Sequence, residues 1–351
     1  MQTVFKESIF SDEELFKIVC DSEDLLYLSN INFEAKQIKI ISKALRKNKN
    51  LLDIDLNGNN LNDESLGYIC EALRYNNTLE KINLDCNKMS ELGIYHLSKT
   101  LKENTSLKIL HLSSNNLNEK SIFYLSESLK ENSSLKKLVL SGNNIEDTSL
   151  KYICDALKIN NILKSLDISN NNIGSSGGLY ISELLKNNDS LTALNLSGND
   201  FSECGAKFIS SGIEMNRSLS SLSLNACNIY DFGICCLSKS LGINKNIKTL
   251  KLSSNKFGET GFNALMKYLQ INLSIENLCL GITIFEKEEE QVILSTLKNN
   301  PNLTLDNKIE NISQFVNVNV FKKEKVLLGV HDEIKKSKMI KEIKIATLTL
   351  V

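Results

Sequence analysis

The sequence predicts an α/β solenoid, in which a short strand and a helix alternate along one long parallel sheet. The first observation is a ten-residue phrase that recurs 28 residues apart, as LKILHLSSNN at 107–116 and LKKLVLSGNN at 135–144. Each phrase alternates apolar and polar residues, as a half-buried strand does. The second observation is that apolar residues at helical spacing fill the rest of each unit, for example Leu150, Ile153 and Leu157.

The spacing of 28 residues continues through nine units without insertion or deletion. The first apolar strand residues are Leu51, Leu79, Leu107, Leu135, Leu163, Leu191, Leu219, Ile247 and Ile275. Eight positions later comes Asn59, Asn87, Asn115, Asn143, Asn171, Asn199 or Asn255, replaced by Cys227 in one unit and Thr283 in another. An amide both donates and accepts hydrogen bonds, so we expect these asparagines to satisfy main-chain groups at the bend after each strand.

A small residue begins each predicted helix, and an asparagine follows it. The small residues are Ser65, Gly93, Ser121, Ser149, Gly177, Gly205, Gly233 and Gly261. The asparagines are Asn76, Asn104, Asn132, Asn160, Asn188, Asn216, Asn244, Asn272 and Asn300. Since asparagine tolerates the left-handed conformation that ends many helices, we predict left-handed caps here. Several of these asparagines form Asn-x-Ser/Thr sequons, which we interpret as incidental.

The motif L-x-x-L-x-L-x-x-N/C-x-L resembles the leucine-rich repeat family over roughly residues 23–300. The unit length and the small residue at the helix start resemble its ribonuclease-inhibitor-type subgroup, which includes NOD-like receptor sensing domains, tropomodulins and the GTPase-activating protein of the Ran cycle. The resemblance implies an open horseshoe arc with the parallel sheet on its concave face and the helices on its convex face. Strands about 4.8 Å apart and helices about 9–10 Å apart also require such a curve.

The repeats divide the chain into three segments. Residues 1–50 are predicted to form an amino-terminal cap with a degenerate first repeat, beginning with a capping box of Ser11 and Glu14. Residues 51–302 hold the nine repeats. Residues 303–351 include two alternating apolar stretches around lysines, which fit either a carboxy-terminal cap or an interaction tail.

Composition argues against several functional classes. The formal net charge is -1, so no global field favours nucleic acid or an anionic membrane, and we predict neither as a partner. Nine cysteines without a CxxC pair, and no evident signal peptide, predict an intracellular protein in a reducing compartment. Only three residues are arginine, Arg46, Arg74 and Arg217.

The sequence offers no catalytic constellation. The three histidines, His96, His111 and His331, have no partner at a spacing typical of a catalytic triad, and no nucleotide-binding or metalloprotease motif occurs. The acidic run EKEEEQ at 286–291 is interpreted as a solvated helix start. We therefore predict a protein that is not an enzyme, with no cofactor and no metal.

The concave strand positions are the predicted binding surface, although each residue alone also fits an ordinary solvated sheet face. Acidic residues gather at its amino end, lysines in its middle, and small neutral residues beyond. The predicted protein-binding residues are Asp53, Asp55, Lys81, Asn83, Lys108, His111, Lys136, Lys137, Val139, Lys164, Asp167, Asn195, Ser223 and Lys251. A row of helix aromatics fits either packing between helices or a convex binding stripe: Tyr68, Tyr124, Tyr152, Tyr180 and Phe208.

These features predict a monomeric, non-enzymatic scaffold that binds a protein partner of unknown identity. The arginine-poor composition and the subgroup are similar to leucine-rich repeat effectors that intracellular bacteria deliver into host cells, and to cytosolic protist proteins. The alternative function is action on a small GTPase, as in the Ran-cycle relative, through polar residues at the loops. By position alone, Asn60, Asn116, Asn144 and Asn172 are the candidates.

Overall fold

The computed structural model describes residues 10–281 and 287–305, and side-chain surroundings for all of these except 287–290. The chain divides into two compact units, Met1–Asn307 and Lys308–Val351. The described residues all belong to the first unit. The expectations for Thr283, for His331 and for the two apolar stretches of the tail lie outside the described residues.

Strands and helices alternate strictly along the described chain, and the strands form one sheet in sequence order with parallel pairing. The strands are β1 Asp24–Tyr27, β2 Leu51–Asp55, β3 Lys81–Asn83, β4 Ile109–His111, β5 Lys137–Val139, β6 Ser165–Asp167, β7 Ala193–Asn195, β8 Ser221–Ser223, β9 Thr249–Lys251, β10 Asn277–Cys279 and β11 Thr304–Leu305. The helices are α1 Asp12–Asp21, α2 Ala35–Lys47, α3 Asp63–Tyr75, α4 Glu91–Glu103, α5 Glu119–Leu129, α6 Asp147–Leu157, α7 Ser175–Asn187, α8 Ser202–Met215, α9 Asp231–Ile243, α10 Glu259–Leu269 and α11 Lys287–Asn299. The predicted open α/β solenoid is confirmed.

The core lies between the sheet and the helices, and one unit shows how it forms. Leu138 points inward from β5, Leu135 and Leu140 point inward from the residues that flank this strand, and all three are buried. Leu150 and Ile153 meet them from the helix that follows and are equally buried. Because one strand and one helix cannot enclose these side chains alone, each unit depends on its neighbours for burial.

The asparagine after each strand forms the ladder that the sequence predicts. The Nδ2 of Asn143 donates to the carbonyl of Leu140 in its own unit, at 3.1 Å, and to that of Leu112 in the preceding unit, at 2.8 Å. Its Oδ1 accepts from the backbone N–H groups of Asn115, at 2.9 Å, and Leu117, at 3.4 Å. With a further bond from Nδ2 to the carbonyl of Ser141, at 3.5 Å, this single buried amide satisfies five main-chain groups in two adjacent units.

The asparagine after each helix forms a second ladder, and the predicted left-handed cap is wrong. Asn76 has φ -87° and ψ 122°, which is extended backbone. Its buried Nδ2 donates to the carbonyl of Leu45 in the preceding unit at 2.7 Å, while its Oδ1 accepts from the N–H groups of Thr78, at 3.0 Å, and Leu79, at 2.8 Å. Asn76 thus stabilises the turn through the hydrogen bonds of its side-chain amide. Its backbone conformation is one that other residues also adopt, so it does not explain why asparagine occurs here. Buried and fully engaged, the amide is also inaccessible as a glycosylation acceptor.

Two glycines that are not among the predicted helix-start residues lie where adjacent helices approach closely. A Cβ on Gly178 would come within 2.6 Å of the backbone of Gly205 in the next helix. A Cβ on Gly212 would come within 2.8 Å of the backbone of Ser182. Since real Cβ atoms do not make such contacts, glycine is what allows α7 and α8 to pack this tightly.

Both ends of the described array continue the repeat. At the amino end Ser11 and Glu14 form the predicted capping box, and β1 extends the sheet beyond β2. At the other end Leu303 is buried and the backbone N–H of Thr304 donates to the carbonyl of Glu276 at 2.7 Å. That strand, β11, lies inside the segment predicted to be the carboxy-terminal cap. It pairs with β10 through main-chain hydrogen bonds, although the apolar triplet of the repeat is missing from its sequence.

Candidate functional site: the concave sheet surface

The concave surface is built from strand positions that alternate with the buried leucines. Strand pairing aligns them in rows, so that Asn83 is paired with His111, His111 with Val139, and Val139 with Asp167. Parallel strands lie about 4.8 Å apart, which places the side chains of a row in lateral contact range. The sheet therefore aligns residues that are far apart in sequence, and the predicted binding residues lie on its strands or just before them, spread from β2 to β9.

Ion pairs neutralise the amino end of this surface. Lys81 Nζ lies 2.8 Å from Asp53 Oδ2, and Lys108 pairs with Glu80, the residue just before β3. The other oxygen of Asp53, Oδ1, is buried and has no hydrogen-bond partner. Both pairs are partly exposed, so each contributes on the order of 0–1 kcal/mol to stability.

Three lysines in the middle of the surface differ from these. Lys137 lies on β5, Lys136 and Lys164 come just before β5 and β6, and within the described residues none of the three forms an ion pair. Lys136 and Lys164 are exposed, and Lys137 is half-buried. We call these three residues the lysine patch.

On β7 and β8, beyond the lysine patch, the concave side chains are small and uncharged. Ala193 and Asn195 on β7 are paired with Ser221 and Ser223 on β8, and all four are half-buried. We call these four residues the neutral floor. Positive charge returns with Lys251, which is exposed on β9.

His111 lies on the concave face, as predicted, without the surroundings of a catalytic base. Its Nδ1 is 3.6 Å from Asp85 Oδ2, which is too long for a hydrogen bond, and its buried Nε2 has no partner. Among the described side chains, no nucleophile forms a hydrogen bond with this ring. Nor does any group of three or more potential metal ligands occur in the described residues.

The cysteines are free thiols, and burial governs the chemistry of several. Burial raises the pKa of Cys70 to about 12, and it raises that of Cys227 to about 12 as well. Cys227 also takes the place of an asparagine in the first ladder, where its Sγ approaches the carbonyls of Leu196, at 3.5 Å, and Asn225, at 3.3 Å. Such thiols are space-filling groups with little thiolate at neutral pH.

The convex aromatics are partly explained by packing. Tyr124 contacts Tyr95 on the preceding helix with 5.1 Å between ring centroids, and Phe123 contacts Tyr152 on the next helix at 5.3 Å. Spacing in the sequence did not reveal that Tyr95 and Phe123, one position away from the predicted row, complete this network. Phe123 remains 39% exposed.

A polar cleft that sequence reasoning missed lies at the edge of the array where strands lead into helices. It encloses about 590 Å³ and is lined by residues that include Asn172, Gly174, Asp200 and Asn228. Nearby, Ser202 has φ 53°, and its N–H donates to the carbonyl of Cys227 at 3.2 Å.

None of the helices in the described residues has the length and apolarity needed to cross a bilayer.

The family profile described as Leucine Rich repeat matches residues 47–70, 103–126, 131–154, 160–182 and 187–210. No curated protein matches this sequence. Among solved structures, actin-binding site 2 of leiomodin-1 is similar at 16% identity over 61% of this chain and 95% of its own, with a TM-score of 0.34, which is too weak a likeness to bear on the partner. The five profile matches coincide with strand–helix units of a repeating sheet, and the chain is a leucine-rich repeat protein.

Proposed function

We propose that this protein is a non-enzymatic scaffold that binds a protein partner on the concave surface of its sheet. Leucine-rich repeat arrays serve as protein–protein interaction scaffolds, and this array occupies most of the chain. The observation that carries the proposal is the contrast between the two sides of each strand. The inward side chains are uniformly apolar and buried, whereas the outward ones vary from unit to unit on a rigid support.

Rigidity favours this surface for binding. A sheet held by two asparagine ladders has few conformations to lose when a partner docks, so the cost of ordering is small. The predicted site residues, from Asp53 to Lys251, all lie on a strand of this sheet or at the position just before a strand. The convex face offers exposed side chains as well, which makes the two faces the alternatives to be tested.

A blocking experiment separates the two faces. Ser165→Trp and Ser221→Trp each place a bulky side chain on the concave surface, at half-buried positions whose side chains make no hydrogen bond in the described structure. Lys207→Trp and Lys239→Trp place the same side chain at exposed helix positions without an ion pair in the described structure. Affinity capture from host-cell lysate, quantified by mass spectrometry, compares all four with the wild type.

We expect at least one concave variant to lose a protein that the wild type enriches, while both helix variants retain it. Loss of that protein from the helix variants alone would contradict the proposal. Circular dichroism spectra and melting temperatures of the four variants serve as the folding control.

We also infer that the protein belongs to the ribonuclease-inhibitor-type subgroup and acts in a cytosol. The uniform 28-residue period and the full helix in each described unit support the first inference. All nine cysteines are free thiols, as a reducing compartment would keep them, which supports the second. We further propose that the protein is delivered into a host cell. A secretion reporter fused to the chain tests this: its arrival in the host cytosol would support delivery, and its absence there would count against it.

Action on a small GTPase is the second candidate. Asn60, Asn116, Asn144 and Asn172 are exposed on the loops between strand and helix, and the first three have positive φ, which turns them outward from the array. Asn60 also donates from Nδ2 to Asn32 Oδ1 at 2.6 Å. A GTP-hydrolysis assay with host small GTPases tests this candidate: acceleration that Asn116→Ala removes would support it, and unchanged hydrolysis would exclude it.

A further inference from the structure

The lysine patch departs from the charge pairing of the rest of the concave surface. At the position just before each strand, Lys108 is neutralised by Glu80 of the preceding unit, and Lys248 lies 3.0 Å from Glu276 of the following one. A glutamate one unit away is therefore how this array pairs a lysine at that position. Lys136 instead has Lys108 before it and Lys164 after it.

Carboxylates near the lysine patch are already engaged. Asp167 Oδ2 accepts from Asn195 Nδ2 at 2.9 Å, and its Oδ1 accepts from the backbone N–H of Ser169 at 2.9 Å. Asp85 uses one oxygen to accept from the backbone N–H of Ser113 and has His111 beside the other. Neither carboxylate forms an ion pair with Lys136, Lys137 or Lys164, so within the described residues the three lysine charges have no paired carboxylate.

Aliphatic side chains accompany this charge. Lys137 is paired across the sheet with Ile109 on β4, and Val139 lies two residues beyond Lys137 on the same strand. Ile109 is half-buried, and Val139 is 9% exposed. The paired strand positions form two concave rows, one from Asp53 to Asn277 and one from Asp55 to Cys279. In these two rows, Ile109 and Val139 are the only aliphatic side chains larger than alanine.

We propose that the lysine patch, with Ile109 and Val139, binds an extended acidic segment of the protein partner that carries an aliphatic residue between its carboxylates. This inference rests on the proposed scaffold function and specifies the chemistry of its ligand. Opposite charge accelerates the encounter and fixes the register of the segment, while burial of the aliphatic residue against Ile109 adds affinity. The two concave rows contain no Tyr, Phe or Trp on which bases could stack, which favours an acidic peptide over single-stranded nucleic acid.

The test measures binding of a fluorescein-labelled peptide made of repeated Glu-Leu-Glu triplets, by fluorescence polarisation at low and high salt. The variant is the triple substitution Lys136→Gln, Lys137→Gln and Lys164→Gln. Its matched control is Lys207→Gln, Lys239→Gln and Lys267→Gln, three exposed helix lysines without an ion pair in the described structure, so that both proteins lose the same charge. A peptide with glutamine in place of glutamate, oligothymidylate and phosphatidylserine vesicles are the competing probes.

We expect the patch variant to bind the acidic peptide at least tenfold more weakly than the wild type, and the control variant within twofold of it. Binding should weaken at high salt, and the glutamine peptide should bind at least tenfold more weakly than the acidic one. Ile109→Thr, which keeps a β-branched residue in the strand, should weaken binding several-fold at unchanged net charge.

Three results would overturn the proposal: no binding of the acidic peptide to the wild type, an equal loss in both triple variants, or tighter binding of oligothymidylate or vesicles than of the peptide. The same variants in the affinity capture separate this inference from the scaffold function. If Ser165→Trp or Ser221→Trp abolishes capture while the triple patch variant retains it, the scaffold function stands and the acidic ligand is wrong.

Discussion

Two regions of one sheet carry different chemistry on the same backbone. Between β2 and β6 the concave surface holds acids, paired lysines and the lysine patch, whereas the neutral floor on β7 and β8 holds only small uncharged side chains. From β3 to β8 the strands have the same length and the same parallel register: Lys137–Val139 pairs in register with its neighbours just as Ser221–Ser223 does. The repeat thus fixes the inner side of every strand and leaves the outer side free to specialise.

The largest expected effect tests whether the inner side is equivalent in both regions. Leu138 on β5 and Leu222 on β8 are both fully buried. We expect Leu138→Ala and Leu222→Ala each to lower the free energy of unfolding by about 2–5 kcal/mol, because each removes a buried side chain and leaves a cavity. Urea denaturation followed by circular dichroism measures both, and a cost of less than 1 kcal/mol at one site alone would show that the two interiors differ.

The next effect compares the ladder in the two regions. The side chain of Asn143 makes five hydrogen bonds to main-chain groups, so Asn143→Ala should cost about 2–4 kcal/mol through the buried groups left unpaired. Cys227 makes only weak thiol contacts, so Cys227→Ala should cost about 1 kcal/mol or less. The same denaturation experiment checks the pair, and an equal cost would contradict the role assigned to the amide.

Thiol reactivity provides a reporter for each region. Cys70 lies on α3 behind the charged strands and Cys227 follows β8, and burial raises the pKa of both to about 12. At pH 8, well below that pKa, both remain protonated and should react with iodoacetamide far more slowly than the exposed Cys86 and Cys204. Mass spectrometry of timed digests measures the rates; rapid labelling of either buried thiol would indicate local opening of that region.

The smallest expected effect is an exchange of surface chemistry between the regions. Lys137→Ser and Ser221→Lys alter only outward side chains, so each should change the free energy of unfolding by less than about 0.5 kcal/mol. The first should nevertheless weaken binding of the acidic peptide. Thermal denaturation together with fluorescence polarisation checks both statements, and a large loss of stability would mean that the outer surface is part of the fold.

The sequence was sufficient to predict the fold because each unit repeats the same physical requirement. The spacing of Leu135, Leu138 and Leu140 and the asparagine three residues later could be interpreted directly, since every unit needs the same burial and the same bend. The left-handed cap at Asn76 failed because residue preference alone does not distinguish a backbone role from a side-chain role. Only its hydrogen bond to the carbonyl of Leu45, 31 positions earlier, decides the matter.

The contacts on the surface were less predictable than the fold, because each side chain there contacts side chains of neighbouring units. Sequence placed Lys108 and Lys136 in one group, whereas the structure pairs Lys108 with Glu80 and leaves Lys136 without a carboxylate among the described residues. The contact of Tyr124 with Tyr95 on the neighbouring helix likewise depends on ring orientation, which spacing does not specify. Partner identity depends on a second molecule, so the chain alone supplies only the chemistry of the surface.

Site-specific photo-crosslinking tests most directly whether contact is made on the concave sheet. A photoreactive amino acid placed at Ser165 or Ser221 probes that surface, and the same group at Lys207 probes the helices. After irradiation in lysate, we expect one protein to crosslink reproducibly at Ser165 or Ser221 and not at Lys207. Crosslinks to a reproducible protein at Lys207, with none at either sheet position, would contradict it.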